Sequence, residues 1–299
     1  MIYNFNEIES KKIIEHFGEA FFDKVQNDIK FYSNKWGIEI LELVDYFSVN
    51  CIFKCSSKKF GYAVLKVNRP CREVFTEFNT LREYNGKRFC NVFDSDIKNG
   101  IILEECIQPG IRLRDEQSLE KRLNVFSNLF NGLHIEPENP SIYPTYIEWV
   151  SRITKYMSGR EDYKELYLYM KMAESICLQI SQSYNKKMLL HGDFHHDNIL
   201  LNNDGKYKII DPKGVVGDPI FDVPRYILNE YEEGITAEKY YEKICTIINS
   251  LETSLCIPNK IIRQCYFIEM VMANCWEVES NAKPDIQSVI MAETIMNCS

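Results

Sequence analysis

The segment 191–213 constrains the fold of this chain more than any other part of the sequence. It begins His-Gly-Asp-Phe-His-His-Asp-Asn, continues through an apolar run and the sequence Asn-Asn-Asp-Gly at 202–205, and ends Ile-Ile-Asp-Pro-Lys. The apolar run predicts a short strand, Asn-Asn-Asp-Gly predicts a tight turn, and the residues after the turn predict a returning strand. We therefore expect a hairpin that brings Asp211 beside Asn198.

Asp193, Asn198 and Asp211 make up the set of groups that phosphoryl transfer requires. A carboxylate at Asp193 can orient and deprotonate an attacking hydroxyl group. An amide at Asn198 and a carboxylate at Asp211 can hold Mg²⁺ against phosphate oxygens. The pattern predicts a kinase in which Asp193 is the catalytic base and the other two residues are metal ligands.

The three histidines of this segment, His191, His195 and His196, suggest a metal cluster as an alternative. A catalytic zinc site, however, requires three properly spaced ligands, and the metalloprotease pattern has glutamate directly after its first histidine, where this chain has Gly192. We expect His191 to brace the backbone of the loop. His196 is expected near the cleft, as a candidate substrate contact.

The order of the predicted elements divides the chain into a sheet-rich front and a helix-rich back. Alternating apolar residues mark five strands, at 36–46, 51–55, 62–67, 91–93 and 100–105. Helical spacing marks eight helices, at 7–17, 20–32, 72–84, 117–134, 146–157, 163–184, 237–253 and 260–281. A chain of 299 residues exceeds the usual size of a single core. We predict an α+β fold of two lobes, with an antiparallel sheet in residues 1–107 and mainly helices in residues 108–299.

The front half contains a lysine suited to binding nucleotide. Lys66 lies in the alternating segment 62–67, where a strand lysine can point into a cleft and meet the α- and β-phosphate oxygens. A carboxylate from the following helix should hold this lysine in place. Glu77, in the middle of that helix, is the expected partner, and Glu73, one turn earlier, is the alternative.

Two further segments are candidates for nucleotide contacts. The turn at residues 48–50 lacks the glycine-rich sequence that protein kinases place over ATP, but backbone N–H groups at Ser48 and Asn50 can still contact phosphate. In kinase-like folds, backbone groups where the lobes join usually read adenine. We expect the Glu104 carbonyl and the Cys106 N–H to be these contacts.

Charge and composition exclude several classes of protein. The net charge is −8 and no basic stripe is visible, so we expect no nucleic-acid binding and favour a cationic or neutral ligand. No apolar run approaches the length of a membrane span, and the first residues lack the basic and apolar regions of a secretory signal. The eleven cysteines include no C-x-x-C pair and are expected to be free thiols. These features predict a cytoplasmic protein that binds a small molecule and no membrane.

Several segments carry a resemblance to a known family. They are residues 77–86, 102–110, 133–134, 191–198, 210–219, 221–222 and 274–279. In these residues the chain resembles the aminoglycoside phosphotransferase family of the protein-kinase-like superfamily, and most closely its branch of streptomycin 6-kinases and hydroxyurea phosphotransferases. The sequence Asp-Pro-Lys-Gly at 211–214, followed by Gly-Asp-Pro, is narrower than the general kinase signature and supports this branch.

The resemblance implies a protein-kinase-like fold and Mg²⁺-assisted transfer of a phosphoryl group from ATP or GTP to a hydroxyl of a small molecule. That substrate is often an antibiotic, such as the aminoglycoside streptomycin. It also implies that Asp193 is the base, that Asn198 and Asp211 are the metal ligands, and that Lys66 is the phosphate-binding lysine. No protein substrate is expected, because Gly192 stands where protein kinases carry an arginine.

Acidic residues of the helical half are candidates for binding a cationic substrate. These residues are Asp218, Glu277 and Glu279. Asp222 is expected to fix the catalytic loop by accepting backbone N–H bonds, and Lys213 is expected either to reach the transferred phosphate or to pair with Asp218. Two alternatives stay open. One is a kinase of hydroxyurea or another neutral metabolite or sugar, and the other is a catalytically idle nucleotide-binding protein.

Overall fold

The computed structural model describes residues 3–44, 49–232 and 234–298. Its contacts divide the chain into two compact units. The first comprises Met1–Ile111 and Leu201–Ile210, and the second comprises Arg112–Leu200 and Asp211–Ser299. The predicted lobe boundary between residues 107 and 108 stays a prediction. The sequence analysis did not predict that the segment 201–210 belongs with the first unit.

The first unit is a five-stranded sheet with three helices. Its strands are β1 (Ile38–Leu43), β2 (Asn50–Ser57), β3 (Gly61–Asn68), β4 (Val92–Asp96) and β5 (Ile101–Glu105). Its helices are α1 (Glu7–Phe17), α2 (Glu19–Trp36) and α3 (Arg72–Tyr84). The sheet order is β1–β2–β3–β5–β4, and the pairs are antiparallel, as the sequence predicts.

Local sequence signals fix the ends of these helices. Asn6 and Glu9 form a capping box at the start of α1, so each side chain satisfies a backbone N–H of the first turn. Gly37 ends α2 in the left-handed conformation, which glycine adopts without a Cβ clash. Apolar residues of α1 and α2 pack into one core with those of β1, β2, β3 and β5. This core makes the sheet a rigid support for the residues that β3 carries.

The described residues include five further, short strands. They are β6 (Pro109–Arg112), β7 (Met188–Leu190), β8 (Ile199–Asn202), β9 (Tyr207–Ile209) and β10 (Val215–Gly217). The predicted hairpin is confirmed, because β8 and β9 are neighbours in a sheet and the Asn202 N–H donates to the Lys206 carbonyl at 2.8 Å. The Asn202 side chain accepts bonds from the N–H groups of Asp204 and Lys206, which is the local bonding expected of asparagine in a turn.

The second unit is mainly helical. Its helices are α4 (Leu119–Phe130), α5 (Tyr146–Met157), α6 (Lys164–Ser183), α7 (Val223–Leu228), α8 (Ala237–Leu255), α9 (Asn259–Glu279) and α10 (Ile286–Asn297). The strands β7 and β10 form an antiparallel pair within it. Helix α9 is buried over most of its length and packs against α5, α6, α7 and α10, so it is the central helix of this unit.

The α+β class predicted from the sequence is confirmed by a sheet-based first unit and a helical second unit. The sequence did not predict α7 or α10. None of the helices in the described residues combines the length and the apolar character needed to cross a membrane.

Candidate active site

The loop that carries Asp193 is fixed by a buried carboxylate. Asp222 accepts hydrogen bonds from the backbone N–H groups of His191 and Gly192, at 2.8 and 2.7 Å, and its Oδ2 lies 2.9 Å from His134 Nε2. This bonding confirms the role predicted for Asp222. His191 Nδ1 accepts the N–H of Asp193 at 3.1 Å, so His191 braces the loop backbone, as expected. The position of Asp193 is therefore set by side chains that lie beneath the loop.

Gly192 is required by the shape of this loop. Its φ is +77°, a conformation that side-chain-bearing residues rarely adopt. A Cβ at this position would lie 3.1 Å from Trp149 Cη2 and 3.2 Å from Lys213 Cβ. A side chain as large as the arginine of protein kinases would therefore be both strained and crowded at this position.

Asp193 is surrounded by cationic groups within the second unit. Its Oδ1 lies 3.3 Å from Arg225 Nε and 3.5 Å from His195 Nε2. Burial alone would raise the pKa of Asp193, but the bond with His195 and the charges of Arg225 and Lys213 lower it well below its usual range. The carboxylate is therefore ionised near neutral pH. Because so acidic a group is a weak base, this environment favours orientation of an acceptor hydroxyl over early proton removal.

His195 is itself held between two carboxylates. Its Nε2 lies 3.5 Å from Asp193 Oδ1, and its Nδ1 lies 3.6 Å from Asp197 Oδ2. Burial lowers the pKa of His195, but its bonds with both carboxylates outweigh that effect and raise it. Asp197 in turn accepts a bidentate pair of bonds from Arg114, at 2.6 and 2.5 Å. Side-chain contacts thus connect Asp193 through His195 and Asp197 to Arg114.

Asn198 and Asp211 have the chemistry expected of ligands to a hard cation such as Mg²⁺. Asn198 lies just before β8, and Asp211 lies just after β9, so the hairpin carries both at its open end. The Asn198 Nδ2 donates to the Asp193 carbonyl at 3.0 Å, which leaves the amide oxygen as the atom suited to a cation. Asp211 has φ of +56°, a strained conformation for a residue with a side chain. Such strain at a carboxylate is typical of a functional site.

The first unit contains a charged cluster around Lys66. The Lys66 Nζ lies 2.7 Å from Glu77 Oε1 and 2.9 Å from Glu104 Oε1, and the lysine side chain is 2% exposed. The predicted pairing with Glu77, rather than with Glu73, is confirmed. The second carboxylate, Glu104, is a partner that the sequence did not reveal. The nucleotide-binding role of this cluster stays a prediction.

The backbone contacts expected for adenine, the Glu104 carbonyl and the Cys106 N–H, stay a prediction. The N–H of Cys106 donates to the Tyr62 carbonyl at 3.3 Å, so this donor is already used within the first unit. Glu104 lies within β5, where it pairs with residues of both β3 and β4, and its side chain binds Lys66. Asn50 is the first residue of β2 and is buried. Ser48 lies outside the described residues.

Three of the four predicted substrate contacts are paired with other groups of the protein. His196 is 1% exposed and its Nε2 lies 3.7 Å from Glu230, so it is too deeply buried to meet a substrate. Asp218 is buried and accepts bonds from the backbone N–H groups of Lys186 and Ile220, so it caps local structure. Glu279 forms a bidentate pair with Arg152. The contacts of His196 and Asp218 contradict those two expectations, whereas the pairing of Glu279 with the exposed Arg152 leaves its expectation untested.

Glu277 remains as the fourth predicted substrate contact. It lies exposed on α9, one residue after the half-buried Trp276. The role of Glu277 as a substrate contact therefore stays a prediction.

Sequence reasoning missed the residues that surround Asp193 from the helices. Arg225 Nη2 lies 2.8 Å from Glu269 Oε1, and the Tyr146 hydroxyl donates to Glu269 Oε2 at 3.0 Å. These residues come from α7, α9 and α5. No short motif marks them, because they meet only when the three helices pack. The sequence analysis also did not identify Asp197. Its position between His196 and Asn198, within the motif, is the signal that could have indicated it.

Comparison with known proteins places this geometry in context. Residues 43–280 match the protein family described as aminoglycoside/hydroxyurea antibiotic resistance kinases. Streptomycin 6-kinase of Streptomyces griseus is 25% identical over 167 residues, which are 54% of this chain and 53% of that protein. Streptomycin 6-kinase of Streptomyces glaucescens is 24% identical over a stretch of the same length. The chain thus spans about half the length of the curated relatives it matches.

Solved structures with the same fold have far lower sequence identity. The choline kinase LicA of Streptococcus pneumoniae has a TM-score of 0.65 at 14% identity, covering 91% of this chain and 98% of that one. The aminoglycoside phosphotransferase APH(4)-Ia, solved with AMP-PNP and hygromycin B, has a TM-score of 0.59 at 15% identity, covering 90% and 96%. These likenesses confirm the predicted protein-kinase-like fold.

Proposed function

Because the chain belongs to the family of aminoglycoside/hydroxyurea antibiotic resistance kinases, we propose that it transfers a phosphoryl group from ATP or GTP to a hydroxyl of a small molecule. The observation that carries this proposal is the arrangement of Asp193, Asn198 and Asp211. A braced loop presents an ionised carboxylate, and the adjoining hairpin carries an amide and a second carboxylate at its open end. All three residues lie within the matched segment.

Asp193 would act on the acceptor hydroxyl. Its ionised carboxylate can accept the hydroxyl hydrogen bond, hold the oxygen in line with the phosphorus, and take the proton as the new bond forms. Since phosphoryl transfer depends mainly on positioning and charge stabilisation, a rigidly braced carboxylate suits this reaction.

Lys66 and the hairpin residues would deal with the charge of the nucleotide. Lys66 would bind phosphate oxygens, while Glu77 and Glu104 limit the positions that its ammonium group can take. Asn198 Oδ1 and the Asp211 carboxylate would hold Mg²⁺. Bound Mg²⁺ supplies positive charge that offsets the charge on the transferred phosphoryl group.

For the acceptor, we propose an aminoglycoside such as streptomycin. The match to streptomycin 6-kinases and the net charge of −8 support a cationic substrate. Glu277 is the predicted carboxylate that remains suited to this role, because it is exposed on α9. Hydroxyurea or another neutral compound is the alternative acceptor, since the family description includes hydroxyurea.

The test is a panel of aminoglycosides, hydroxyurea and simple sugars, incubated with the purified protein, ATP or GTP, and Mg²⁺. We expect one compound to gain the mass of a single phosphoryl group, and the Asp193→Asn variant to yield no such product. Phosphorylation of only neutral compounds would retain the kinase and reject the aminoglycoside. Tight nucleotide binding without transfer to any compound, and without slow hydrolysis, would favour an idle nucleotide-binding protein.

A resistance assay tests the antibiotic substrate in cells. Expression in a susceptible bacterium should raise its tolerance to streptomycin, and the Asp193→Asn variant should not. Glu277→Gln should raise the KM for streptomycin while leaving that for the nucleotide unchanged. Glu279→Gln is the matched control on the same helix, because its carboxylate is already paired with Arg152.

A further inference from the structure

Arg225 links the candidate catalytic base to a buried carboxylate of the central helix. Its Nε lies 3.3 Å from Asp193 Oδ1, and its Nη2 lies 2.8 Å from Glu269 Oε1. The Glu269 side chain is only 4% exposed. A guanidinium group can make both contacts at once because its donors project in a fixed fork from one plane.

Several groups hold Arg225 in this position. Glu269, besides binding Arg225, accepts a bond from the Tyr146 hydroxyl at 3.0 Å. The guanidinium carbon lies 4.8 Å from the centre of the Trp276 ring, within the range of a cation–π contact. Trp276 in turn meets Trp149 edge to face, with ring centres 6.2 Å apart. An arginine held by a salt bridge and an aromatic face has lost most of its rotational freedom, so it can fix what it touches.

Two side chains, Arg225 and His195, approach the same oxygen of Asp193. Arg225 Nε and His195 Nε2 both lie closest to Oδ1, at 3.3 and 3.5 Å. Because Arg225 Nε has no hydrogen-bond partner in the described residues, its contact with Oδ1 is an ion pair. The attraction of Oδ1 to this charge and to His195 favours one orientation of the carboxylate plane, in which Oδ2 is presented to an acceptor. A carboxylate without such partners would rotate about its Cβ–Cγ bond and would present either oxygen.

We propose that Arg225 is a positioning residue, which Glu269, Tyr146 and Trp276 hold in place so that Asp193 presents Oδ2 to the acceptor hydroxyl. This inference rests on the proposed function, because it assigns Asp193 to the acceptor. It adds a residue of α7 that touches neither nucleotide nor acceptor and acts only through Asp193.

The first experiment compares Arg225→Met with Arg152→Met in the wild-type background. Misplacement of a reacting group by about 1 Å can reduce turnover about 100-fold, so we expect Arg225→Met to lower kcat by about 10- to 100-fold. The KM values for nucleotide and acceptor should stay within about threefold of wild type, because Arg225 is proposed to contact neither of them. Arg152, which pairs with Glu279 at the surface of the same unit, should tolerate its change.

The second experiment asks whether Arg225 acts through Asp193. In the Asp193→Asn background, Arg225→Met should add little further loss of kcat, since residues that act as a unit are non-additive. Millimolar guanidinium should partly restore kcat to Arg225→Ala but not to Asp193→Asn. Glu269→Gln, which keeps an oxygen for Tyr146, should give a smaller, severalfold loss and serves as the milder variant if Arg225→Met fails to fold.

Two results would overturn the proposal. One is an equal loss of kcat from Arg225→Met with and without Asp193, and the other is a raised acceptor KM with unchanged kcat, which would make Arg225 a substrate contact. Nucleotide hydrolysis, with water as acceptor, gives a separate readout. A wild-type protein that hydrolyses ATP but phosphorylates no compound contradicts the proposed function, while the same Arg225 comparisons can still be made on hydrolysis.

Discussion

The charged clusters around Lys66 and Asp193 have central groups of opposite sign and differ in exposure. In the first unit, a cation, Lys66, is held by two carboxylates and is 2% exposed. In the second unit, an anion, Asp193, is approached by Arg225 and His195 and is 26% exposed. The buried cation is paired with two carboxylates, whereas the partly buried anion has Arg225 and His195 nearest to one of its oxygens.

This difference indicates a division of labour. Lys66 carries one positive charge and contacts two carboxylates. A nucleotide phosphate therefore has to compete with Glu77 or Glu104 for its ammonium group. Asp193 has one side committed to the protein, and the other is available to a hydroxyl. We therefore expect substitutions at the first cluster to affect nucleotide affinity and substitutions at the second to affect the rate of transfer.

The largest expected effect is at Asp193. Asp193→Ala should reduce kcat by about 10²- to 10⁴-fold, the usual contribution of a positioned acid–base group. Nucleotide affinity, measured by calorimetry, should change by less than about threefold. Normal turnover by this variant would show that the second cluster takes no part in the chemistry.

A smaller effect is expected at Lys66. Lys66→Met removes a charge-assisted bond to phosphate, which contributes about 1.5–3 kcal/mol, so nucleotide affinity should fall about 10- to 150-fold. Lys54→Met is the matched control in the neighbouring strand β2, since Lys54 pairs with Glu42 at the surface. If Lys66→Met left nucleotide affinity unchanged and instead raised the acceptor KM, the roles assigned to the two clusters would be reversed.

Glu230 tests whether a buried charge cluster of the second unit serves stability. Burial raises the pKa of Glu230, but Arg122, His196 and Lys243 outweigh this effect and lower it to about 2. Because the folded-state pKa is lowered, the stabilisation is present above the unfolded pKa of about 4.5 and is lost as pH falls from about 4.5 to about 2. At pH 7 this shift corresponds to about 3 kcal/mol.

Urea unfolding at pH 7 and pH 3 measures this contribution. Glu230→Gln should destabilise the protein by about 3 kcal/mol at pH 7, and the difference from wild type should shrink at pH 3. Glu232→Gln, which removes an exposed carboxylate paired with Lys243, should change little at either pH. An equal loss at both pH values would mean that Glu230 stabilises by packing rather than by charge.

The smallest effects are expected at the two carboxylates of Lys66. Glu77→Gln should loosen the lysine and weaken nucleotide binding severalfold. Glu104→Gln removes a competitor of the phosphate, so it should leave nucleotide affinity unchanged or increase it severalfold. Dissociation constants of the nucleotide should be measured for both variants. Equal losses of affinity would mean that both carboxylates only orient Lys66.

The sequence predicts those contacts that depend on neighbouring periodic elements. Lys66 and Glu77 lie in an alternating strand and an amphipathic helix that follow each other, so their pairing is visible in the pattern. The loop and hairpin around Asp193 are likewise set by local turn chemistry. The role of Asp222 follows from the same motif.

Contacts that depend on packing between distant helices are not predicted. Arg225 lies in α7, which has only six residues and contains Pro224, so no helical period can develop. Its partner Glu269 is a carboxylate in the middle of the buried helix α9, where the sequence gives no sign of a polar contact. Helix α10 has apolar residues on several sides, which hides its amphipathic spacing.

The backbone of Asp211 has a consequence for how variants of this protein would be selected. With φ of +56°, this residue has a left-handed backbone angle that glycine adopts more readily than aspartate does. Asp211→Gly should therefore be neutral or favourable for heat resistance, while removing a carboxylate that we assign to Mg²⁺. A screen for thermal robustness alone would enrich this substitution, whereas growth under the antibiotic would eliminate it. Opposing pressures of that kind at one codon would mark Asp211 as a residue maintained for activity against the preference of the fold.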